Sequence, residues 1–507
     1  MSVVTTPTGP TEVKSSTATL KEDLLALMSG RISVVILGFV LQIINRRLLG
    51  PTLVGVWNYI EIIRDQLNSF SLGVAASAER QMPILRGQGR LRDEEELRSL
   101  TLTYLVVEGV IVGVAYLPYW YVTRHNTADL RIGMALIPLL LVIARVLWFY
   151  RLILPNMKAF RTFAWTSTAL YVINFLMPLY ILVGGLYGVF IGLIANGLLS
   201  IGLYWISMRA RLPLHWYFSP RKIAQLLPIG MPLALFGFMS TLMERLDALM
   251  VSAFMGTTSL GLYYFGPQLA TSISNLPKIV AHVAYPNFLE SYGRNGPQAL
   301  LPQANRYMRL SMYVMVPVIV SGAYFSTEFV VRILLPGFTP GLGAIQVSIL
   351  TVVFWQIDFL ATQILLVCGR VWALIAITTT ATALLGGLIG MVLSNQPSLT
   401  AVAWAVVVTR LLEAVTMALT AYRTISSSAQ DQRRELGGLI LTGCLWIALI
   451  VGIDELVPTP VVGPTIMALA ASVAVREGLF ILGMLTFLVV FQRPILRTCW
   501  VQILHTA

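Results

Sequence analysis

The chain has 507 residues, of which 57% are apolar and only 11% charged, and its mean hydropathy is +0.77. Soluble proteins of ordinary composition carry about 25% charged residues, so a string of soluble domains is excluded and most of the chain belongs in lipid. The formal charge of +12 would point to nucleic acid in a soluble protein, but here membrane topology accounts for it and no nucleic-acid partner is expected.

Residues 1–23 open on a Thr-, Ser- and Pro-rich stretch and predict a disordered cytoplasmic tail, with no cleaved signal. Fourteen apolar runs follow, at 24–47, 53–79, 100–122, 130–153, 161–183, 186–208, 223–254, 258–287, 305–325, 342–368, 371–393, 399–423, 436–453 and 465–491. They are long enough to cross a bilayer as helices and lack the strict alternation of a membrane barrel. The expected fold is an all-α polytopic membrane protein. The eighth run is broken by Pro267, Pro277 and Pro286. With the N-terminus inside, Arg80, Arg86, Arg90, Arg92, Arg98, Arg151, Arg221, Lys222 and most other loop cations fall on the cytoplasmic side. Arg46, Arg47, Arg124, Arg131 and Arg332 fall outside. This bias and an even span count place both termini in the cytoplasm.

Loops are short on both faces, so no soluble catalytic domain is expected. The DEEE run at 93–96 reads as the start of a solvated helix in the basic inner loop. Cys368, Cys444 and Cys499 are too few and too dispersed for a disulfide framework, and no metal, redox or nucleotide spacing occurs, so no cofactor is expected. Gly188 and Gly192, and Gly386 and Gly390, have the spacing that lets helices pack closely. Trp57, Tyr119, Trp120, Tyr121, Trp148, Trp216 and Tyr217 read as membrane-interface anchors.

The chain contains a repeat. LLGPTLVGVWNY (48–59) and FMGTTSLGLYYF (254–265) each follow an apolar run and align Gly50 with Gly256, Gly55 with Gly261 and Trp57 with Tyr263. Six spans separate them, so both copies run the same way through the membrane, as in the parallel repeats of transporters. Two pseudo-symmetric six-helix lobes are expected, at 24–212 and 213–425, followed by two further helices and a cytoplasmic C-terminus in 426–507.

Charges inside the spans cost at least about 2.5–3.5 kcal/mol each and mark a cavity or a partner. Arg410 with Glu413, and Glu61 with Arg64, have the spacing of pairs on one helix face. Arg476 and Glu477 lie outside both lobes and read as packing residues or as facing a lipid groove. Arg31, Arg145, Lys278, Glu108 and Asp358 have no opposite charge within four residues. The cations Arg31, Arg64, Arg145, Arg245 and Lys278 are therefore candidates to line a central cavity. A guanidinium binds oxygen anions by charge-assisted, often bidentate bonds, so the expected ligand is anionic, with phosphate the first choice. Asp65, Asp247, Asp358 and Glu413 are candidates for H⁺ or Na⁺ coupling.

The run RRLLGPTLVGVWNY (46–59) followed by LGVAASAERQMPILRGQGR (72–90) resembles the opening of polysaccharide transporters of the MOP (multidrug/oligosaccharidyl-lipid/polysaccharide) flippase superfamily. The repeat at the seventh span and the number of spans are similar too. The resemblance implies a flippase for sugars on a polyprenyl diphosphate, working by alternating access in a bacterial or archaeal cell membrane. It also implies membrane lipids as surroundings, with a polysaccharide polymerase and glycosyltransferases as partners. Two rivals stand beside it: a cation-coupled multidrug exporter of the same superfamily, and a polymerase or ligase acting on lipid-linked sugars. The cationic spans count against the first and the short outer loops against the second.

Overall fold

The computed structural model describes residues 11–123, 127–156, 160–208, 215–426, 428–457 and 466–491; the side chains of 11–36, of 155–164 and of a few isolated positions lie outside that description. Among the described residues there are fifteen α-helices: α1 Thr11–Ser69, α2 Val74–Gly87, α3 Leu91–Thr123, α4 Ala128–Ala135, α5 Ile137–Asn156, α6 Phe160–Asn174, α7 Met177–Met208, α8 Pro220–Asn295, α9 Leu301–Leu310, α10 Val316–Phe329, α11 Leu342–Val367, α12 Val371–Asn395, α13 Leu399–Ile425, α14 Ala429–Leu456 and α15 Ile466–Phe491. There is no strand among the described residues, and ten segments are long and apolar enough to cross a membrane. This is a multi-pass membrane protein. Successive expected spans often share one continuous element. α1 holds the first two and α8 the seventh and eighth, each joined through one left-handed glycine, Gly50 (φ 73°, ψ 171°) or Gly256 (φ 84°, ψ 173°). A side chain is strongly disfavoured at such a φ, so glycine makes the corner without a loop.

The two corners confirm the repeat in three dimensions. Beside them, Gly55 and Gly261 let the hairpins of α1 and α8 meet backbone to backbone. A Cβ on Gly55 would stand 2.7 Å from the carbonyl carbon of Thr257, and one on Gly261 would stand 2.9 Å from that of Pro51. Gly55 faces residue 257 as Gly261 faces residue 51, so each contact is the other's image. The hydroxyls of Thr52 and Thr258, also equivalent, meet at 3.4 Å. A second close approach lies about 27 Å further along the first hairpin at 1.5 Å per residue, where a Cβ on Gly73 would stand 2.7 Å from the Met231 nitrogen. The lobes thus touch at both ends.

The second expected span is not one helix. α1 stops at Ser69 and α2 begins at Val74, with Gly73 at φ 88°. Backbone groups freed inside a membrane need partners. Here Arg145 Nη2 donates to the Phe70 carbonyl at 2.6 Å, and the Leu72 N–H donates to Glu108 Oε1 at 3.0 Å.

α14 and α15 are docked on α10 by a buried ion network. Arg476 reaches Glu328 at 2.9 Å and Asp454 at 2.8 Å, and Glu328 also holds Arg332 at 2.8 Å. Glu477 accepts from Ser321 at 2.9 Å. The packing reading of Arg476 and Glu477 holds, whereas Arg332 belongs to this network and not to a free outer loop. Gly188 and Gly192 also serve packing, against Tyr180 of the same helix.

The acidic run at 93–96 is half solvated, as expected, except at Glu94, and it is also ion-paired. Asp93 binds Arg90 at 2.7 Å, Glu94 is buried against Arg86, and Glu96 pairs with Lys222 at the start of α8. The stretch between the lobes is tied to α3 as well, the His215 N–H to the Ser99 hydroxyl at 3.3 Å and the Tyr217 N–H to the Thr103 hydroxyl at 3.1 Å. Solvation is lost only at Glu94, which is buried against Arg86 of α2.

Candidate functional site

The first lobe encloses a polar space in two joined compartments. The inner one, about 410 Å³, is lined by Arg64, Asp65, Asn68, Trp148, Arg151 and Asn196 among others. The outer one, about 310 Å³, is lined by Gln42, Asn45, Arg46, Trp57, Asn58 and Gln268. Glu61, Asn174, Met177 and Leu193 border both. Small or polar residues, Ala144, Gly197 and Ser200, keep the inner compartment open where larger side chains would fill it.

Arg46 is the cation that topology misplaced. It lies four residues before the Gly50 corner, is 4% exposed, and faces the outer compartment. Its guanidinium contacts Gln42, Gln268 of the second lobe, and the Phe265 ring at 4.4 Å. No carboxylate among the described residues lies at ion-pair distance from it. The absence of an acid within one turn was the available signal, obscured because residues near a span end read as loop. Arg151, also read as loop, lines the inner compartment for the same reason. Trp57 and Trp148, expected as interface anchors, line the cavity instead.

Arg64 also lines the cavity, but its charge is shared with Asp65 at 2.8 Å and Glu61 at 3.6 Å. Arg245, from α8, reaches Asp65 at 3.3 Å and closes an ion bridge between the lobes. Arg145 departs from expectation. It is 0% exposed, pairs with Glu108 at 3.1 Å, and does not line the cavity. Neither Arg145 nor Glu108 is an unpaired charge. Together they satisfy the break at Phe70–Gly73, a tertiary role that four-residue spacing could not reveal. Arg31 lies on α1, and its side chain is outside the described residues.

The second lobe gathers its charges differently. Arg410 pairs with Glu413 at 2.8 Å and lies over the Trp355 ring at 5.0 Å. Lys278 approaches Trp355 at 5.2 Å and Phe359 at 4.9 Å. Asp358 lies within electrostatic reach of Glu413, Arg410, Glu244 and Lys278, so neither Asp358 nor Lys278 is the isolated charge its local sequence suggests. Asp247 accepts from the Tyr263 hydroxyl at 2.5 Å and from the Ala248 N–H at 2.8 Å. The space among Glu244, Asp247, Thr351, Trp355 and Arg410 is only about 30 Å³. The expected cations therefore do not converge on one vestibule: Arg64 and Arg245 meet at the lobe boundary, while Lys278 sits in the compact cluster of the second lobe.

Over residues 88–337 the sequence matches the family model described as polysaccharide biosynthesis protein. No curated protein matches it. Among solved structures, the lipid II flippase MurJ in an inward closed conformation aligns with a TM-score of 0.61 at 11% identity, over 93% of this chain and 99% of its own. An inward-facing multidrug resistance MATE family transporter of the MOP superfamily gives 0.63 at 13% identity, over 82% of this chain and 98% of its own. A MOP superfamily transporter from Pyrococcus furiosus gives 0.52 at 13% identity, over 83% and 96%. The chain thus has the fold of these MOP-superfamily transporters, and about half of it matches the polysaccharide biosynthesis family model. In this fold the two-compartment space is lined chiefly by the first lobe, with Gln268 of the second lobe bordering the outer compartment, and the Asp65–Arg245 bridge and the two glycine contacts join the lobes.

Proposed function

We propose that the protein is a flippase that moves polyprenyl-diphosphate-linked oligosaccharide units from the inner to the outer leaflet by alternating access. The observation that carries this reading is Arg46, a buried guanidinium with no carboxylate at ion-pair distance among the described residues, facing a compartment that adjoins the one lined by Arg64 and Arg151. Such a group suits a phosphate, which accepts charge-assisted hydrogen bonds from several sides. At 1.5 Å per residue Arg64 lies about 15 Å nearer the inner side than Arg46, so the cations form steps across the membrane. Arg31 is assigned to the inner end of this path. Export of each negative charge from a negative interior is aided by about 2.3 kcal/mol per 100 mV. The match to MurJ over 93% of the chain, against 82% for the MATE transporter, supports the flippase reading over the drug-exporter one.

The cycle follows from the contacts. The inner contact at Gly73 and Gly230 separates to admit a head group. Phosphate then competes for Arg64 and Arg245 and loosens the Asp65 bridge. Rocking of the lobes parts the Gly55–Gly261 contact and exposes Arg46 outward. Asp247, Asp358 and Glu413 of the second lobe, with Asp65, are assigned to H⁺ or Na⁺ coupling. The protein is assigned to a bacterial or archaeal cell membrane with both termini cytoplasmic, working beside glycosyltransferases and a polymerase.

Reconstitution in liposomes with a fluorescent polyprenyl-diphosphate oligosaccharide tests this. Protein-dependent flipping that is lost in Arg46→Ala at normal abundance is expected. Export of cationic dyes with no lipid movement would overturn the reading in favour of a drug exporter. Flipping indifferent to collapse of both proton and sodium gradients would remove ion coupling alone.

A further inference from the structure

The cavity holds unspent hydrogen-bonding capacity that is not ionic. Asn196 is 5% exposed, and neither its side-chain oxygen nor its nitrogen has a protein partner. Asn58 is 2% exposed with an unpartnered amide nitrogen, and Asn45 is 5% exposed with an unpartnered amide oxygen. Asn196 lines the inner compartment, and Asn45 and Asn58 line the outer. Buried amides are ordinarily satisfied, and leaving one unpaired lowers stability. Three in two adjoining compartments point to a ligand that offers both donors and acceptors. A phosphate only accepts, so it cannot satisfy an amide oxygen. A drug cation would leave the amide nitrogens unmet. A hydroxyl does both, and neighbouring hydroxyls on a ring match the paired donor and acceptor of one amide. The acids of the inner compartment face cations already, Arg64 being shared between Glu61 and Asp65, so its spare amide asks for a neutral group. Trp57 and Trp148 add aromatic walls. Both compartments are of the size that small-molecule sites have, about 300–1,000 Å³.

We propose that the first lobe contains a saccharide site, distinct from its cations, in which Asn196, Asn58 and Asn45 bind an uncharged, hydroxyl-rich sugar ring. The proposal rests on the flippase reading and adds that the sugar next to the diphosphate is recognised by amides and is neutral.

The test uses the full chain in nanodiscs and short polyprenyl diphosphates, either bare or carrying one hexose, N-acetylhexosamine or deoxyhexose. For at least one sugar the wild type should bind about tenfold more tightly than to the bare diphosphate, a difference of about 1.4 kcal/mol. Asn196→Leu and Asn58→Leu should each erase that gain and leave bare diphosphate binding unchanged. The unliganded Asn196→Leu protein should melt no lower than wild type, because an apolar group of similar shape removes an unpaired amide. If the bare diphosphate binds but no sugar improves on it, or if both variants keep the gain, the amides are merely hydrated and the proposal falls alone. If the bare diphosphate does not bind, the flippase reading falls and takes the proposal with it.

Discussion

The two lobes carry the same hairpin and use it differently. In the first, Gly50 leads into a helix with Asn58, Glu61 and Arg64 on an open cavity of about 410 Å³ joined to one of about 310 Å³. In the second, Gly256 leads into a helix with Tyr263 and Tyr264, and the corresponding space shrinks to about 30 Å³ around Asp247, Trp355 and Arg410. The hairpin scaffold is shared, and the side chains beside each corner helix decide how much space is left there; the second lobe keeps a further space of about 270 Å³ away from its corner, between α12 and α13 beside Glu413. Amides and a cation without an acid partner suit a lobe that takes up and releases a polar cargo. Acids held by cations and aromatic rings suit a lobe that exchanges a small ion. Duplication thus supplied the frame, and packing made the two lobes differ.

Removing the support of the hollow lobe should have the largest effect. Arg145→Leu leaves Glu108 buried without its cation and should destabilise the protein by about 3–5 kcal/mol, seen as loss of folded protein in detergent. Adding Glu108→Leu should restore only part of this, because the Phe70 carbonyl and Leu72 N–H stay unmet. Full restoration would show that the helix break does not depend on the pair.

Next is the cargo site itself. Arg46→Gln should weaken diphosphate binding by about 1.5–3 kcal/mol, with thermal stability retained, in a titration of the purified protein. In the second lobe Asp358→Asn should leave that affinity unchanged and abolish gradient dependence of flipping. If the two variants exchanged phenotypes, the assignment of cargo to one lobe and ion to the other would be reversed.

The shared hairpin gives a symmetric prediction. Gly55→Val and Gly261→Val place a side chain against equivalent backbone and should each cost the closed outer contact about 1–3 kcal/mol. A Thr52→Cys/Thr258→Cys pair should cross-link readily, and less so with either valine present. Unequal effects of the two valines would show that the lobes do not close as mirror partners. The smallest effect is expected at the acidic run, where Lys222→Gln removes a half-exposed pair with Glu96 and should change stability by less than about 1 kcal/mol.

The sequence by itself determined the membrane environment, the approximate spans, the repeat and the family resemblance. These rest on local properties: apolar run length, a glycine that must turn left-handed, and charge bias between loops. Pairing along one helix was also legible, so Arg410 with Glu413 and Arg64 with Glu61 stand as read. Tertiary structure alone decided which intramembrane charges are free. Arg145 looked isolated because Glu108 and Phe70 are distant in sequence, while Arg46 looked solvated because it sits at a span end. An ion pair or a cavity forms among side chains brought within a few ångströms by packing of separate helices, and no spacing along the chain records that distance.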